Sequence, residues 1–247
     1  MNLNNKVVLI TGGGTGLGRE ISLKLAAEGM TVVISYSRSQ DEAESTAKEI
    51  VAAGGKAITL QADLAQTSEA VRLVQKTLEQ YGRLDLLIHN AATTRFVPFA
   101  DLDGIDEASW DELFAVNTRS AFFLAQAAAK HLKETRGQII TTSSVAGIGA
   151  VGSSIPYAVS KAALIHLTKC LATAMAPEVR VNSVAPGLLL TRWAAGFSEE
   201  SIARTSQKAL LQQATDLGDC ADAFVMLAKN GSITGQVITV DSGLLAG

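Results

Sequence analysis

Tyr157 and Lys161 stand four residues apart, and Ser144 stands thirteen residues before the tyrosine. On a helix that spacing places a phenol and an ammonium on one face, one turn apart. A phenol with a pKa near ~10 exchanges protons poorly at neutral pH, whereas a neighbouring cation stabilises the phenolate and moves it towards a useful value. Ser144 closes Thr141-Thr142-Ser143-Ser144, directly after the apolar run Gln138 to Ile140, where a strand end presents a hydroxyl to a ligand. A Tyr-x-x-x-Lys pair arises readily by chance, so its meaning depends on the elements around it.

The strongest of these is near the start of the chain. Lys6 to Ile10 is a short apolar strand candidate that runs into Thr11-Gly12-Gly13-Gly14-Thr15-Gly16-Leu17-Gly18 and then into the helix-patterned Arg19 to Glu28. A strand, a glycine-rich turn and a helix aim free backbone N–H groups and the positive helix end at a pyrophosphate. Side chains at the turn would hold the phosphates away. The glycines that matter follow Gly-x-x-x-Gly-x-Gly, at Gly12, Gly16 and Gly18. The absence of a Gly-Lys-Ser/Thr ending excludes a P-loop.

Strands then alternate with helices. Strands are expected at Val7–Ile10, Thr31–Ser35, Ala57–Gln61, Leu84–Ile88, Gln138–Thr142, Val179–Val184 and Gln236–Val240, and helices at Leu17–Glu28, Asp41–Ala53, Ser68–Gln80, Trp110–Lys133, Pro156–Met175 and Asp219–Ala228. Continuous apolar runs such as Val32-Val33-Ile34 suit strands buried on both faces, hence a parallel sheet covered by helices. Right-handed crossovers make this an α/β fold: a doubly wound, Rossmann-type parallel sheet of seven strands in one domain spanning 1–247, with ligands at the carboxyl ends of the strands.

Composition agrees. The 247 residues are 47 % hydrophobic and 18 % charged with a net charge of −3, and the pI is about 5.7. No run of Lys or Arg offers a surface for nucleic acid or an anionic membrane. Cys170 and Cys220 are isolated, and no apolar run approaches membrane-spanning length, which leads us to expect a cytoplasmic protein. His89, His131 and His166 lack metal-ligand spacing, and no metal is expected; His89, beside Asn90, is read as a packed histidine with its hydrogen bonds satisfied.

Thr11-Gly12-x-x-x-Gly16-x-Gly18, Asn90-Ala91-Ala92, Asn117, Ser144, Tyr157, Lys161, Pro186-Gly187 and Ile233-Thr234-Gly235 stand in the order and spacing of the short-chain dehydrogenase/reductases. The chain resembles that family from end to end. It departs at Ala92, where the family usually has glycine. The resemblance implies hydride transfer between a nicotinamide and a carbonyl or secondary alcohol. Tyr157 would pass the proton, Ser144 would hydrogen-bond the substrate oxygen, Lys161 would lower the tyrosine pKa and hold the nicotinamide ribose, and Asn117 would retain a relay water. Gly12, Thr15, Gly16, Leu17, Gly18, Asn90, Ala91, Ala92, Pro186, Gly187 and Thr191 would bind the cofactor with Tyr157 and Lys161, and Asp63 and Leu64 would border the adenine.

An acid about twenty residues after the glycines would select NAD. Here Tyr36 is followed by Ser37-Arg38-Ser39, a guanidinium between two hydroxyls, which suits a 2′-phosphate and favours NADP(H) over NAD(H). The substrate is expected to be a small-molecule ketone, foremost a 3-oxoacyl thioester. A substrate lid within 188–214, including Trp193, Phe197 and Leu210, together with Thr93 to Phe99, would form apolar walls with few fixed charges. Oxidation of a sugar or secondary alcohol, or a non-catalytic dinucleotide-binding regulator, are the alternatives. The helices Trp110–Lys133 and Pro156–Met175 carry more small and apolar residues than one buried face needs, among them Ala121, Leu124 and Leu171; the resemblance implies that such helices pair across a two-fold axis in a homotetramer, with a dimer as the alternative.

Overall fold

Strand β1 (Val7–Thr11) is buried at every position, the mark of a strand covered on both faces. In the computed structural model, which describes residues 2–246, its side chains divide by parity. Val8 and Ile10 enter one apolar cluster and Val7 and Leu9 the other, as a two-residue repeat requires. Six further strands join it: β2 (Thr31–Tyr36), β3 (Lys56–Gln61), β4 (Leu86–His89), β5 (Gln138–Thr142), β6 (Arg180–Pro186) and β7 (Val237–Val240). Among the described residues they form a single sheet in the order β3-β2-β1-β4-β5-β6-β7, with every pairing parallel.

Helices α1 (Gly16–Ala27), α2 (Gln40–Ala52) and α8 (Leu217–Lys229) contribute to the first cluster through Ile21, Ala43 and Phe224. Helices α3 (Thr67–Tyr81), α5 (Ser120–Thr135) and α6 (Ile155–Met175) contribute to the second through Leu73, Leu124 and Leu171. The order of strands reverses between β1 and β4, so a crevice opens there at their carboxyl ends. The turns after β1, β2, β3, β4, β5 and β6 all meet at that edge.

Three expectations change. The helix over Trp110–Lys133 begins earlier, as α4 (Glu107–Phe114), then loosens into a π turn (Ala115–Arg119) before α5. Helix α7 (Glu199–Lys208) lies inside 188–214, where no element was expected. It buries no residue, so no apolar stripe betrays it; its visible sequence signal is the cap, Ser198 accepting from the Ser201 N–H. Strand β4 starts at Leu86 because the buried Asp85 carboxylate accepts from the Val7 N–H at 2.9 Å and from the Arg83 guanidinium.

Candidate active site

Helix α6 presents the tyrosine and lysine. Ser154 caps its first turn by accepting from the Tyr157 N–H, with Pro156 in the position where a missing N–H costs nothing. One turn apart, Tyr157 faces the cleft and Lys161 reaches inward, 2 % exposed. The Lys161 ammonium donates to the Thr142 carbonyl at 2.8 Å and lies 5.8 Å from the centre of the Tyr157 ring. Burial lowers Lys161 to about 7. Burial also pushes the Tyr157 phenol up to about 12, opposed by a hydrogen bond with Ser144. The direction is opposite to that expected from the adjacent ammonium: in the folded protein, desolvation of the phenolate is the larger effect.

Ser143 and Ser144 part company at the end of β5. The Ser143 hydroxyl donates to the Val184 carbonyl at 3.0 Å and accepts from Ser183, locked into the sheet. Ser144 caps a short turn at Ala146 and stays beside the phenol. Of the two serines, Ser144 is the one placed to hydrogen-bond Tyr157.

Asn117 is fully buried in the π turn. Its Oδ1 accepts from the Thr93 N–H at 2.8 Å, while its Nδ2 donates to the Thr93 carbonyl and to Ser160 Oγ, both at 3.0 Å. Ser160 in turn donates to the Tyr157 carbonyl. The amide thus brackets the loop after β4 to the turn carrying the tyrosine, and both of its donors are engaged with protein.

The turn after β1 is built for close approach. Gly12 and Gly16 have φ of +63° and +51°, the region that favours glycine. A Cβ on Gly18 would stand 2.0 Å from the Gly12 carbonyl oxygen and 2.6 Å from Asn90 Nδ2. Asn90 Nδ2 donates to the Thr11 and Gly12 carbonyls, and Thr11 Oγ1 accepts from the N–H groups of Asn90 and Ala91. Thr15 and Leu17 complete the turn, Ala92 follows in the cleft wall, and the Thr191 methyl closes on Gly16. Gly187, after Pro186, admits no side chain either, because its Cβ would strike Thr215 and Asp241. Backbone donors behind a surface without side chains, at the amino end of α1, suit a pyrophosphate.

Tyr36, Ser37, Arg38, Ser39, Asp63 and Leu64 gather at the far end of the same cleft. Arg38 is exposed and makes no ion pair among the described residues. Asp63 accepts from the Ala65 N–H. Two arginines missed in the sequence also line this cleft: Arg72, paired with Glu69 and the Gln61 carbonyl, and Arg192, which crosses from the 188–214 segment to Glu42 at 2.5 Å and Ser39 at 3.2 Å. Arg192 carries no local signal, because its contacts join residues about 150 positions apart; Arg72 reads in the sequence as an ordinary partner of Glu69 one helical turn away.

The cleft holds about 1580 Å³. Trp193 stands over Tyr157 with ring centres 5.6 Å apart, and Phe197 meets Phe96 edge-on at 5.0 Å. Leu210 lies against Gly243 instead of lining the cleft. The expectation of few fixed charges also fails, because α7 turns Arg204 and Lys208 to the cleft.

His89, at the end of β4, sits directly under this constellation. Ser120 Oγ donates to the Val116 carbonyl at 2.6 Å and therefore accepts from His89 Nε2 at 2.7 Å; Nδ1 is buried without a partner. The ring is not the satisfied histidine expected. Burial, reinforced by the Lys161 charge, lowers it to about 3. The unfolded chain, with histidine near ~6.5, binds the proton first, so stability must fall as pH drops below about 6.5. Between pH 6.5 and 5, where carboxylates are still largely ionised, the loss should be about 2 kcal/mol. Urea unfolding across that window should show this slope in the wild type and a flatter one in His89→Gln; equal slopes would refute the assignment.

A parallel doubly wound sheet with a glycine turn suited to phosphate and a Ser/Tyr/Lys cluster at the same strand ends defines a dinucleotide-binding oxidoreductase architecture. The family model described as short chain dehydrogenase matches residues 6–201, and the chain belongs to that family, whose members bind a nicotinamide cofactor. It is 35 % identical over 246 residues to a 3-oxoacyl-(acyl-carrier-protein) reductase of Staphylococcus aureus, covering 97 % of this chain and 98 % of that one. It is 33 % identical over 245 residues to the protein of the same name from Synechocystis, covering 98 % of each. A Burkholderia cenocepacia short chain dehydrogenase solved in complex with NADP superposes with a TM-score of 0.91 at 33 % identity, over 99 % of this chain and 100 % of that one.

Proposed function

We propose that the protein reduces the ketone of a 3-oxoacyl thioester or a similar small carbonyl compound, with NADP(H) preferred over NAD(H). The observation that carries this reading is the cluster itself: Ser144 and Tyr157 face one cleft, Lys161 packs behind the tyrosine, and the glycine cradle stands beside them. The nicotinamide supplies the hydride when bound. Ser144 holds the substrate oxygen, and the Tyr157 phenol, kept protonated by its buried setting, gives that oxygen its proton. Lys161 is positioned by the Thr142 carbonyl to offer charge to the phenolate left behind and a donor to the nicotinamide ribose. Asn117 keeps the tyrosine turn and the loop after β4 in register. The same residues run backwards would oxidise a secondary alcohol. A screen of NADPH oxidation across 3-oxoacyl thioesters, simple ketones, diketones, quinones and keto-sugars tests the reading; a keto-sugar far ahead in kcat/KM would replace it.

Arg38, exposed and without an ion pair among the described residues at the Ser37-Arg38-Ser39 end of the cleft, is assigned to the 2′-phosphate. NADPH should bind more tightly than NADH, and Arg38→Ala should cost about tenfold in NADPH affinity while leaving NADH nearly unchanged. Fluorescence titration of both nucleotides checks it; equal wild-type affinities would refute the preference.

We assign residues 188–214 as a lid over the cleft. Trp110, Phe122 and Val159 are 38, 40 and 42 % exposed on α4, α5 and α6, apolar surface that supports pairing of these helices across subunits in a homotetramer. Light scattering that returned the monomer mass of 25.8 kDa would overturn that assembly. No helix among the described residues is long and apolar enough to cross a membrane. The unbridged Cys170 and Cys220 support a reducing, cytoplasmic setting.

A further inference from the structure

Helix α7 breaks the usual rule of amphipathic packing. None of its residues is buried, and the face it turns to the cleft carries Ser201, Ile202, Arg204, Thr205 and Lys208. Arg204 and Lys208 are one helical turn apart and exposed, and neither forms an ion pair with any described residue. The helix's own acids, Glu199 and Glu200, do not line the cleft. In a chain of net charge −3, two exposed cations thus border the cleft without an ion pair among the described residues.

Their place in the cleft is the substrate side. Just past the carboxyl end of α7, Leu211 donates its N–H to the Ser242 carbonyl, and Leu245, from the same terminal turn, lies against Gly149. Leu244, Leu245, Val151 and Gly152 line the cleft there. Before α7, Phe197 meets Phe96, and Trp193 covers Tyr157. The carboxylates that line the cleft are Asp63, Glu69 and Glu112; Glu69 is neutralised by Arg72 and Glu112 by Arg95. The chamber around the tyrosine is therefore aromatic and apolar, while its rim is cationic and hydroxylated. A ligand that fits both carries its reacting carbonyl on an apolar end and an anion at the end of an arm.

We propose that Arg204 and Lys208 bind the phosphate of a phosphopantetheine arm, so that the natural substrate is a 3-oxoacyl thioester carrying that phosphate, either in coenzyme A or on a carrier protein. This rests on the ketone-reductase reading above and adds to it a recognition site on the lid helix. Two exposed cations make a modest, salt-sensitive contact, which acts mainly on substrate capture.

Acetoacetyl-pantetheine, acetoacetyl-phosphopantetheine, acetoacetyl-coenzyme A and an acetoacetyl carrier protein share the reacting group and differ in the anion. The wild type should prefer the phosphorylated arm over pantetheine, with the advantage falling as salt rises. The double variant Arg204→Ala/Lys208→Ala should lose about tenfold in kcat/KM on the phosphorylated thioesters, chiefly through KM. Its turnover of acetoacetyl-pantetheine should change less than twofold. The charge-preserving swap Arg204→Lys/Lys208→Arg should recover most of the loss. NADPH affinity and the unfolding temperature, both unchanged in the double variant, separate this from a folding defect. Coenzyme A and the carrier protein are told apart by which thioester has the higher kcat/KM. Equal losses on pantetheine and phosphopantetheine, or no loss on either, would overturn the site while leaving the reductase intact. A wild type that turns over simple ketones and no thioester would instead overturn the thioester reading on which the site rests.

Discussion

Tyr157→Phe should abolish most turnover, by about 10²- to 10⁴-fold, while keeping the fold and NADPH affinity. The substitution removes one hydroxyl and almost no volume. The ring that remains still packs under Trp193, and the α6 cap depends on the Tyr157 N–H rather than its side chain. What is lost is the proton that burial holds on the phenol and the hydrogen bond to Ser144. Steady-state kinetics with NADPH titrations measure both halves of the statement. Turnover near wild type would remove Tyr157 from the mechanism, and a parallel collapse of NADPH binding would make its role structural.

Gly18→Ala should have the second largest effect, and on a different observable. Its Cβ would be 2.0 Å from the Gly12 carbonyl oxygen and 2.6 Å from Asn90 Nδ2. Neither neighbour yields cheaply: one is backbone, and the other ties Asn90 to the Thr11 and Gly12 carbonyls. Relief requires α1 to move off the turn, so the backbone donors proposed to hold the pyrophosphate lose their common focus. NADPH affinity should fall at least about 100-fold. Stability should fall by about 2–3 kcal/mol, which for a chain of this size lowers the unfolding temperature by roughly 4–12 °C. Gly231→Ala, where an added Cβ meets nothing within 4 Å, serves as the control. An unaltered nucleotide affinity in Gly18→Ala would mean that the turn tolerates a side chain and that its glycines do not form the cradle.

The sequence alone determined the frame and most of the constellation. Apolar runs such as Val32-Val33-Ile34 report a strand buried on both faces, and the Thr11 to Gly18 turn reports a backbone that must be approached closely. Both are local demands, so they are written locally. Ser144, Tyr157 and Lys161 were legible for the same reason: strand ends and helical repeats convert spacing into proximity. The resemblance singles out Ser144, and the sheet ties its neighbour Ser143 to Val184 and Ser183.

Only the tertiary structure decided the rest. The π turn at Asn117 arises from bonds to Thr93 and Ser160, twenty-four and forty-three residues away, which no local pattern encodes. Helix α7 escaped notice because periodicity detects a contrast between core and solvent, and this helix packs against a cavity, not a core. The phenol of Tyr157 was expected to be lowered by its lysine, yet burial outweighs that charge. Desolvation depends on everything that surrounds a group in space, and sequence spacing carries only the neighbour one turn away. The cations Arg192, Arg204 and Lys208 likewise acquired meaning from the wall they face, a property that exists only once the chain has closed around the cleft.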